Sequence, residues 1–389
     1  MINHILKQGE FMKNLAIFYG GKSSEHDISI ITALQVMNNL NKEKYNIVPI
    51  YIHNDNSWYI LDDYKNLNNY ANNVLKGKKL VNGFFNKFLL VKKHLRFSLF
   101  KKIDVAINCC HGLNGEDGTL SGLLELNNIP YVGSGVVASS VGMDKVIMKD
   151  VFVANDIPCV KYVSFYKNEY NANKNDIILN SEVKLGYPII VKPANLGSSI
   201  GINISQNREE LQKNIKIALN FDEKVILEQV VPNLREINCS VLGTIESCET
   251  SVLEEPRNWK TFLDFNEKYI LGSKDNNKKI IDVKLDKNIE IKVKEMSRKI
   301  FTLFGCSGVV RIDYLLNDKT GEVFANEINT IPGSYANYLW THKYTFSELL
   351  DKLISNAESE YLYKNTHTYA YKSSVLVNYK NSSKMAKFK

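Results

Sequence analysis

A short apolar run that stops on a pair of glycines sets the frame for this chain. Leu15-Ala16-Ile17-Phe18-Tyr19 reads as a buried strand, and Gly20-Gly21 ends it. Ser23, Ser24 and Asp27 offer N-caps for a helix around Ile28–Leu40. A second strand spans Tyr45–Ile52. Strand, helix and strand at this spacing predict a parallel α/β unit. The pattern resumes with a strand at Ile103–Ile107, a helix at Thr119–Asn127 and a short strand at Tyr131-Val132. Residues 53–102, rich in Asn and Lys, yield no assignment.

Gly133-Ser134-Gly135 marks a break. Beyond it the spacing predicts a helix around Asp144–Asn155, a strand at Pro188–Lys192, a Gly/Ser loop at 197–201 and a helix from Arg208 to Asn220. Strands follow around Val225–Gln229 and Glu236–Leu242. The polar stretch 258–282 lacks apolar periodicity and reads as a long loop, a kind that is usually functional or disordered. Ile289, Val293, Met296 and Ile300 recur at helical spacing. Two strands, Val309–Leu315 and Glu322–Asn329, flank the turn 317–321. A last helix covers Phe346–Ser355, and a Lys-, Tyr- and Ser-rich extension starts after about 360.

Composition excludes several classes. The chain has 389 residues, 44% apolar and 23% charged, which is globular rather than disordered. No uncharged apolar run approaches the ~18 residues of a bilayer span. The net charge of +7 is mild for this length, and no nucleic-acid-reading motif accompanies it. The six cysteines form no C-x-x-C pair and read as reduced core thiols, which fits the cytoplasm. No H-x-x-x-H spacing supports a zinc site. Met1–Phe11 has no signal-peptide core and reads as a leader ahead of a start at Met12. An intact mass of the native protein that included those residues would refute that start.

Four segments carry chemistry. Strand residues two apart share a face, so Arg311 and Asp313 point one way, and Glu327 and Asn329 point one way opposite Phe324 and Ile328. Two carboxylates, an Asn and an Arg thus gather on one sheet face, a donor set that suits Mg²⁺ bridged to phosphates and equally an ordinary solvated ion pair. Lys192 at a strand end beside Gly197-Ser198-Ser199-Ile200-Gly201 suits phosphate contact, since small residues let backbone N–H groups approach. His111 through Gly118 packs three glycines into a tight loop at a strand end, where ligands sit in α/β sheets. Gly20-Gly21 with Glu25 ends the first strand. Gly21-Lys22-Ser23 is not a P-loop, because Ala16 occupies the required upstream glycine position.

Taken together, these segments resemble the D-alanine–D-alanine ligase family of the ATP-grasp superfamily. The matches are residues 20–25, 111–118, Tyr131 to Gly135, Met143-Asp144-Lys145, Val191 to Gly201, Lys268-Tyr269, Arg311-Ile312-Asp313 and Asn326 to Gly333, in family order over roughly 12–350. The resemblance implies an α/β fold, α+β in part, with three subdomains. These are an N-terminal α/β domain at 12–133, a central ATP-grasp subdomain at 134–229 and a C-terminal one at 230–360, with 258–282 as lid and 361–389 as extension.

The resemblance also implies roles. Lys145 and Lys192 would contact ATP phosphates, Glu228 the ribose with Glu236 beside it, and backbone groups of Gln229 and Val231 the adenine. Asp313, Glu327 and Asn329 would bind two Mg²⁺ ions, with Mn²⁺ as a substitute. Glu25 would take the first substrate's ammonium and link to Ser198 and Tyr269, closing the loop that carries Lys268. Arg311 and the N–H of Gly333 would stabilise the oxyanion. Further substrate contacts would come from His111, Ser334, Tyr338 and Leu339. The family usually has a Ser-Leu pair after Pro-Gly, whose Ser holds the second substrate's carboxylate. Here Leu339 is kept, but Tyr338 stands at the Ser position, and Ser334, Asn337 or the Tyr338 hydroxyl would replace it.

The activity so implied joins two D-alanines through a D-alanyl phosphate, for peptidoglycan synthesis, in a cytoplasmic homodimer without nucleic-acid or membrane partners. The alternatives are a sister ligase with D-serine, D-lactate or another amino acid as acceptor, and a nucleotide-binding protein without turnover.

Overall fold

A computed structural model gives the structure and describes residues 12–93, 96–256, 279–368 and 373–381. The leader 1–11, Lys268, Tyr269 and most of the 258–282 loop lie outside the described residues. The first sheet contains β1 (Lys13–Gly20), β2 (Tyr45–Ile52), β3 (Trp58–Leu61), β4 (Gly77–Phe85), β5 (Phe88–Lys93), β6 (Arg96–Lys102), β7 (Val105–Asn108) and β8 (Tyr131–Val132). Its strand order is β6-β5-β4-β3-β2-β1-β7-β8. Strands β2, β1, β7 and β8 run parallel, and the rest continue antiparallel from β2. Helices α1 (His26–Asn39), α2 (Leu67–Ala71) and α3 (Thr119–Leu126) accompany it. The parallel unit read from the sequence is present, and residues 53–102, which carried no assignment, hold β3 to β6 and α2.

Helices α4 (Val136–Met143) and α5 (Lys145–Ala154) lead into a second, antiparallel sheet. It comprises β9 (Tyr162–Tyr166), β10 (Ile189–Pro193), β11 (Asn203–Ser205) and β12 (Lys224–Gln229), in the order β11-β10-β12-β9. Helices α6 (Lys167–Leu185) and α7 (Arg208–Ala218) belong to this unit. Leu211 and Ile215 of α7 and Ile178 and Leu185 of α6 pack with Ile189, Val191, Val225 and Leu227 of the sheet.

The third sheet has the order β15-β14-β13-β16-β17. Its strands are β13 (Leu234–Gly243), β14 (Cys248–Pro256), β15 (Lys279–Ile281), β16 (Gly308–Asn317) and β17 (Val323–Asn329). Part of the expected 258–282 loop is therefore strand, because residues 279–281 pair with β14. Helix α8 (Lys287–Phe304) covers the sheet's back with Val293, Met296, Ile300 and Phe304. The Asp286 carboxylate caps it by accepting the Asn288 N–H, and Gly305 ends it in a left-handed turn. A 3₁₀ segment at Gly333–Leu339 precedes α9 (Phe346–Lys364) and α10 (Val375–Asn381). Helix α9 runs beyond the expected end at Ser355 and packs Leu349, Leu350, Leu353 and Ile354 into one core with Leu15, Ile17, Val36 and Met37.

Candidate active site

Strands β13, β14, β16 and β17 pack Ile237, Cys239, Leu253, Ile312, Tyr314 and Ile328 against α8 and turn Arg311, Asp313, Glu327 and Asn329 to the other face. Pairing places Arg311 opposite Asn329 and Asp313 opposite Glu327. The Arg311 guanidinium donates to both Asp313 oxygens, at 2.7 and 2.8 Å, and Asn329 Nδ2 donates to Asp313 at 3.1 Å. Burial opposes the charge on Arg311, but Asp313 outweighs it and holds the guanidinium protonated far above any working pH. The four residues gathered by sequence spacing are adjacent in space.

One placement needs correction. A bulge in β17 sets Glu327 against Asp313 but Ala325 against Tyr314, so the alternation changes phase. Phe324 therefore does not lie opposite the Glu327 face. It joins Leu315, Val160 and Val231 in a small apolar cluster separate from the α8 core. Leu315 shares its face with Arg311 and Asp313, so this cluster borders the polar group.

Lys145, first residue of α5, donates to the Leu196 carbonyl at 2.9 Å and lies 3.7 Å from Glu327. It thus joins the 197–201 loop to the carboxylate face. Lys192 donates to Glu228 at 2.6 Å, and the charges of Glu327 and Glu236 also act on it. Burial works against ionised Glu228, yet Lys149 and Lys192 together pull its pKa down to about 2. Glu228 is 0% exposed and sits between these two lysines, with Lys149 at 3.2 Å. In this structure its carboxylate is therefore engaged by the two lysines. The main chain at Gln229 is committed to the sheet through its N–H, which donates to the Lys161 carbonyl at 3.0 Å. Sequence reasoning missed Lys149, although its position four residues after Lys145 puts both on one helix face.

Glu25, before α1, is buried and accepts a hydrogen bond from the Ser198 hydroxyl. Two glycines permit this approach. A Cβ at Gly197 would come 2.9 Å from Glu25 Oε2, and one at Gly112 would lie 2.8 Å from the same oxygen. Glu116, inside the 111–118 motif, accepts the Gly112 N–H at 2.8 Å. Burial, reinforced by the charge of Glu25, pushes the Glu116 carboxyl up to about 8. His111 is buried, with Nε2 2.9 Å from the Thr32 hydroxyl, whose oxygen also accepts the Ser334 N–H at 3.3 Å. It supports the loop after Pro332 from beneath.

The residues expected at the acceptor end divide. The Ser334 hydroxyl is turned to the Gln35 carboxamide. The Leu339 side chain is fully buried in the core shared with α9. The Tyr338 hydroxyl donates to Glu254 at 2.7 Å. A Cβ at Gly333 would meet nothing within 4 Å, so its main chain borders open space.

Among the described residues no group of three or more His, Cys, Asp or Glu is placed to hold a metal. The donor set here is two carboxylates and a carboxamide. It fits Mg²⁺, which takes one or two carboxylates and completes its shell with water and substrate phosphates.

The chain matches the family sequence models described as D-ala D-ala ligase N-terminus, over residues 14–134, and D-ala D-ala ligase C-terminus, over residues 151–355. A D-alanine–D-alanine ligase of Thermosipho melanesiensis is 39% identical over 349 residues, covering 88% of this chain and 93% of the relative. One from Bacillus pumilus is 40% identical over 374 residues, covering 91% and 98%. The solved D-alanine–D-alanine ligase from Coxiella burnetii superposes with a TM-score of 0.77 at 26% identity, covering 91% of this chain and 96% of that one. The VanG D-Ala:D-Ser ligase from Enterococcus faecalis gives 0.76 at 30% identity, covering 89% and 100%. With its three sheets arranged as an ATP-grasp fold, the chain belongs to the D-alanine–D-alanine ligase family.

Proposed function

We propose that this enzyme joins two D-alanine molecules with ATP, through a D-alanyl phosphate, to give the dipeptide used in peptidoglycan synthesis. The observation that carries the reading is Arg311 paired to Asp313 beside Glu327 and Asn329, with Lys145 bridging toward the 197–201 loop.

A carboxylate is a poor electrophile, so amide formation needs its activation. In this reading Glu25, fixed by Ser198, holds the ammonium of the first D-alanine, with His111 supporting the loop beside it. Lys145 and Lys192 meet the phosphates. Val160, Leu315, Phe324 and Val231 offer an apolar slot for the adenine, with the main chain at Gln229 and Val231 along its edge and Glu236 toward the ribose. Asp313, Glu327 and Asn329 would hold two Mg²⁺ ions, or Mn²⁺ in their place, which supply charge neutralisation at the transferring phosphoryl group. Arg311 and the Gly333 N–H stabilise the oxyanion formed when the second amine attacks. Lys268 and Tyr269 would close as a lid that keeps water from the acyl phosphate. Ser334 and Tyr338 stand at the acceptor end, and Leu339 contributes there through its backbone.

The reading extends to a three-part division at 134 and 230, a cytoplasmic location and a homodimer. No helix among the described residues is long and apolar enough to cross a membrane. Phosphate release on mixing the protein with ATP, Mg²⁺ and D-alanine, with mass spectrometry of the product across a panel of acceptors, tests the function. D-alanyl-D-alanine as the main product is expected. ATP turnover without it, or none at all, refutes the proposal.

A further inference from the structure

Glu254 is a carboxylate that the reaction outlined above leaves unused. It pairs with Asn238, Asn238 pairs with Asp313, and Asp313 pairs with Glu327, so one row across the sheet carries all four. Its side chain is buried. Oε2 accepts from the Tyr338 hydroxyl at 2.7 Å and from Asn238 Nδ2 at 3.1 Å. Tyr338 arrives from the 3₁₀ segment, which Tyr335 anchors by donating its hydroxyl to the Asn108 carbonyl at 2.6 Å. The charge of Glu254 acts on both Arg311 and Tyr338, and Tyr338 also responds to Arg311 and Asp313. The group therefore shares the sheet face of Arg311 and lies within reach of its charge.

A phenol has one proton to donate. That of Tyr338 goes to Glu254, so while this bond stands the hydroxyl gives nothing to a substrate carboxylate. Glu254 adds a negative charge at the same place. An approaching carboxylate is repelled there and an ammonium attracted. The second D-alanine carries an ammonium, and it cannot attack an acyl carbon before losing a proton.

We propose that Glu254, set in place by Tyr338 and Asn238, receives the ammonium of the second amino acid and takes one of its protons. The inference rests on the ligase reading above. The neutral nitrogen then forms the C–N bond to the acyl carbon as the C–O bond to phosphate breaks. The amine's second proton leaves with the phosphate, and the proton on Glu254 passes to water on product release. Glu254 is thus a catalytic residue, while Tyr338 and Asn238 position it.

Hydroxylamine separates this role from a structural one. It is largely unprotonated near neutral pH, and it traps an acyl phosphate as a hydroxamate without needing a base. The full chain is assayed with ATP, Mg²⁺ and D-alanine, with and without hydroxylamine. Glu254→Gln is expected to lower kcat for dipeptide by about 100-fold, the scale of general-base catalysis, while hydroxamate formation stays within about twofold of wild type. Tyr338→Phe should show the same split with a smaller loss, and it serves if the glutamine variant misfolds. Equal losses of both products, or no loss of either, overturn the proposal. A wild-type chain that makes neither product overturns the ligase reading itself, and this inference with it.

Discussion

His111 lies 4% exposed at the end of β7, and burial lowers its pKa to about 4, aided by the charge of Arg311 and opposed by a hydrogen bond with the Ile331 backbone. In an unfolded chain the same ring titrates near 6.5. Between those values the unfolded state binds the extra proton, so stability falls as pH falls. The contribution is fully present above about 6.5 and lost as pH drops through 4, amounting to roughly 3 kcal/mol. Urea-unfolding midpoints measured between pH 4 and 7 should show this loss, and His111→Asn should flatten the curve over that window. Glu116 titrates with the opposite sign. Its carboxyl is raised to about 8, so its share of stability is present below about 4.5 and lost as pH rises through 8. The sequence put His111 inside a recognisable motif. It gave no sign that the ring meets Thr32, because burial is set by chain segments far apart in number.

Among the elements, the loop after β7 is the most constrained. Gly112 has φ +71°, and a Cβ there would come 2.4 Å from Ser23 Oγ and 2.8 Å from Glu25 Oε2. Gly112→Ala should therefore displace Glu25 and raise KM for the first D-alanine about tenfold, the equivalent of ~1.4 kcal/mol. Nucleotide affinity, measured by calorimetry, should hold. A loop that strained was legible from three glycines in eight residues. Elements with a clean apolar period were legible too, such as β1, α8 and the β16–β17 pair. Helix α6 was not, since only Tyr170, Ile178, Ser181 and Leu185 of its 19 residues are buried and Asn173 interrupts its helical backbone. Strands β4 to β6 hid for another reason. Register shifts at Leu80/Phe84 and Phe88/Leu90 break the alternation that marks a strand. The bulge at Glu327 misled the reading of Phe324 in the same way.

At the scale of the molecule, Lys149 ties three elements together. From α5 it reaches Glu228 on β12 and the Asn326 carbonyl on β17, at 3.2 and 3.4 Å, with its side chain fully buried. Removing one partner of a buried pair strands charge on the other. Lys149→Met should cost about 3 kcal/mol in chemical denaturation and weaken ATP binding, because Glu228 then draws Lys192 alone. A loss under ~0.5 kcal/mol would mean that the surface substitution scale applies instead.

Helix α9 also closes over the first sheet. Trp340, Leu350 and Leu353 share one core with Leu15, Ile17 and Val36, and Lys13–Glu358 and Lys44–Asp351 pairs seal the rim. Both other sheets lie in the chain between the first-sheet strands of this core and the helix that shields their greasy side, so the strands are translated well before their cover. Until α9 is made that flank lacks its cover, so truncation before Phe346 is expected to leave it open to non-native contacts.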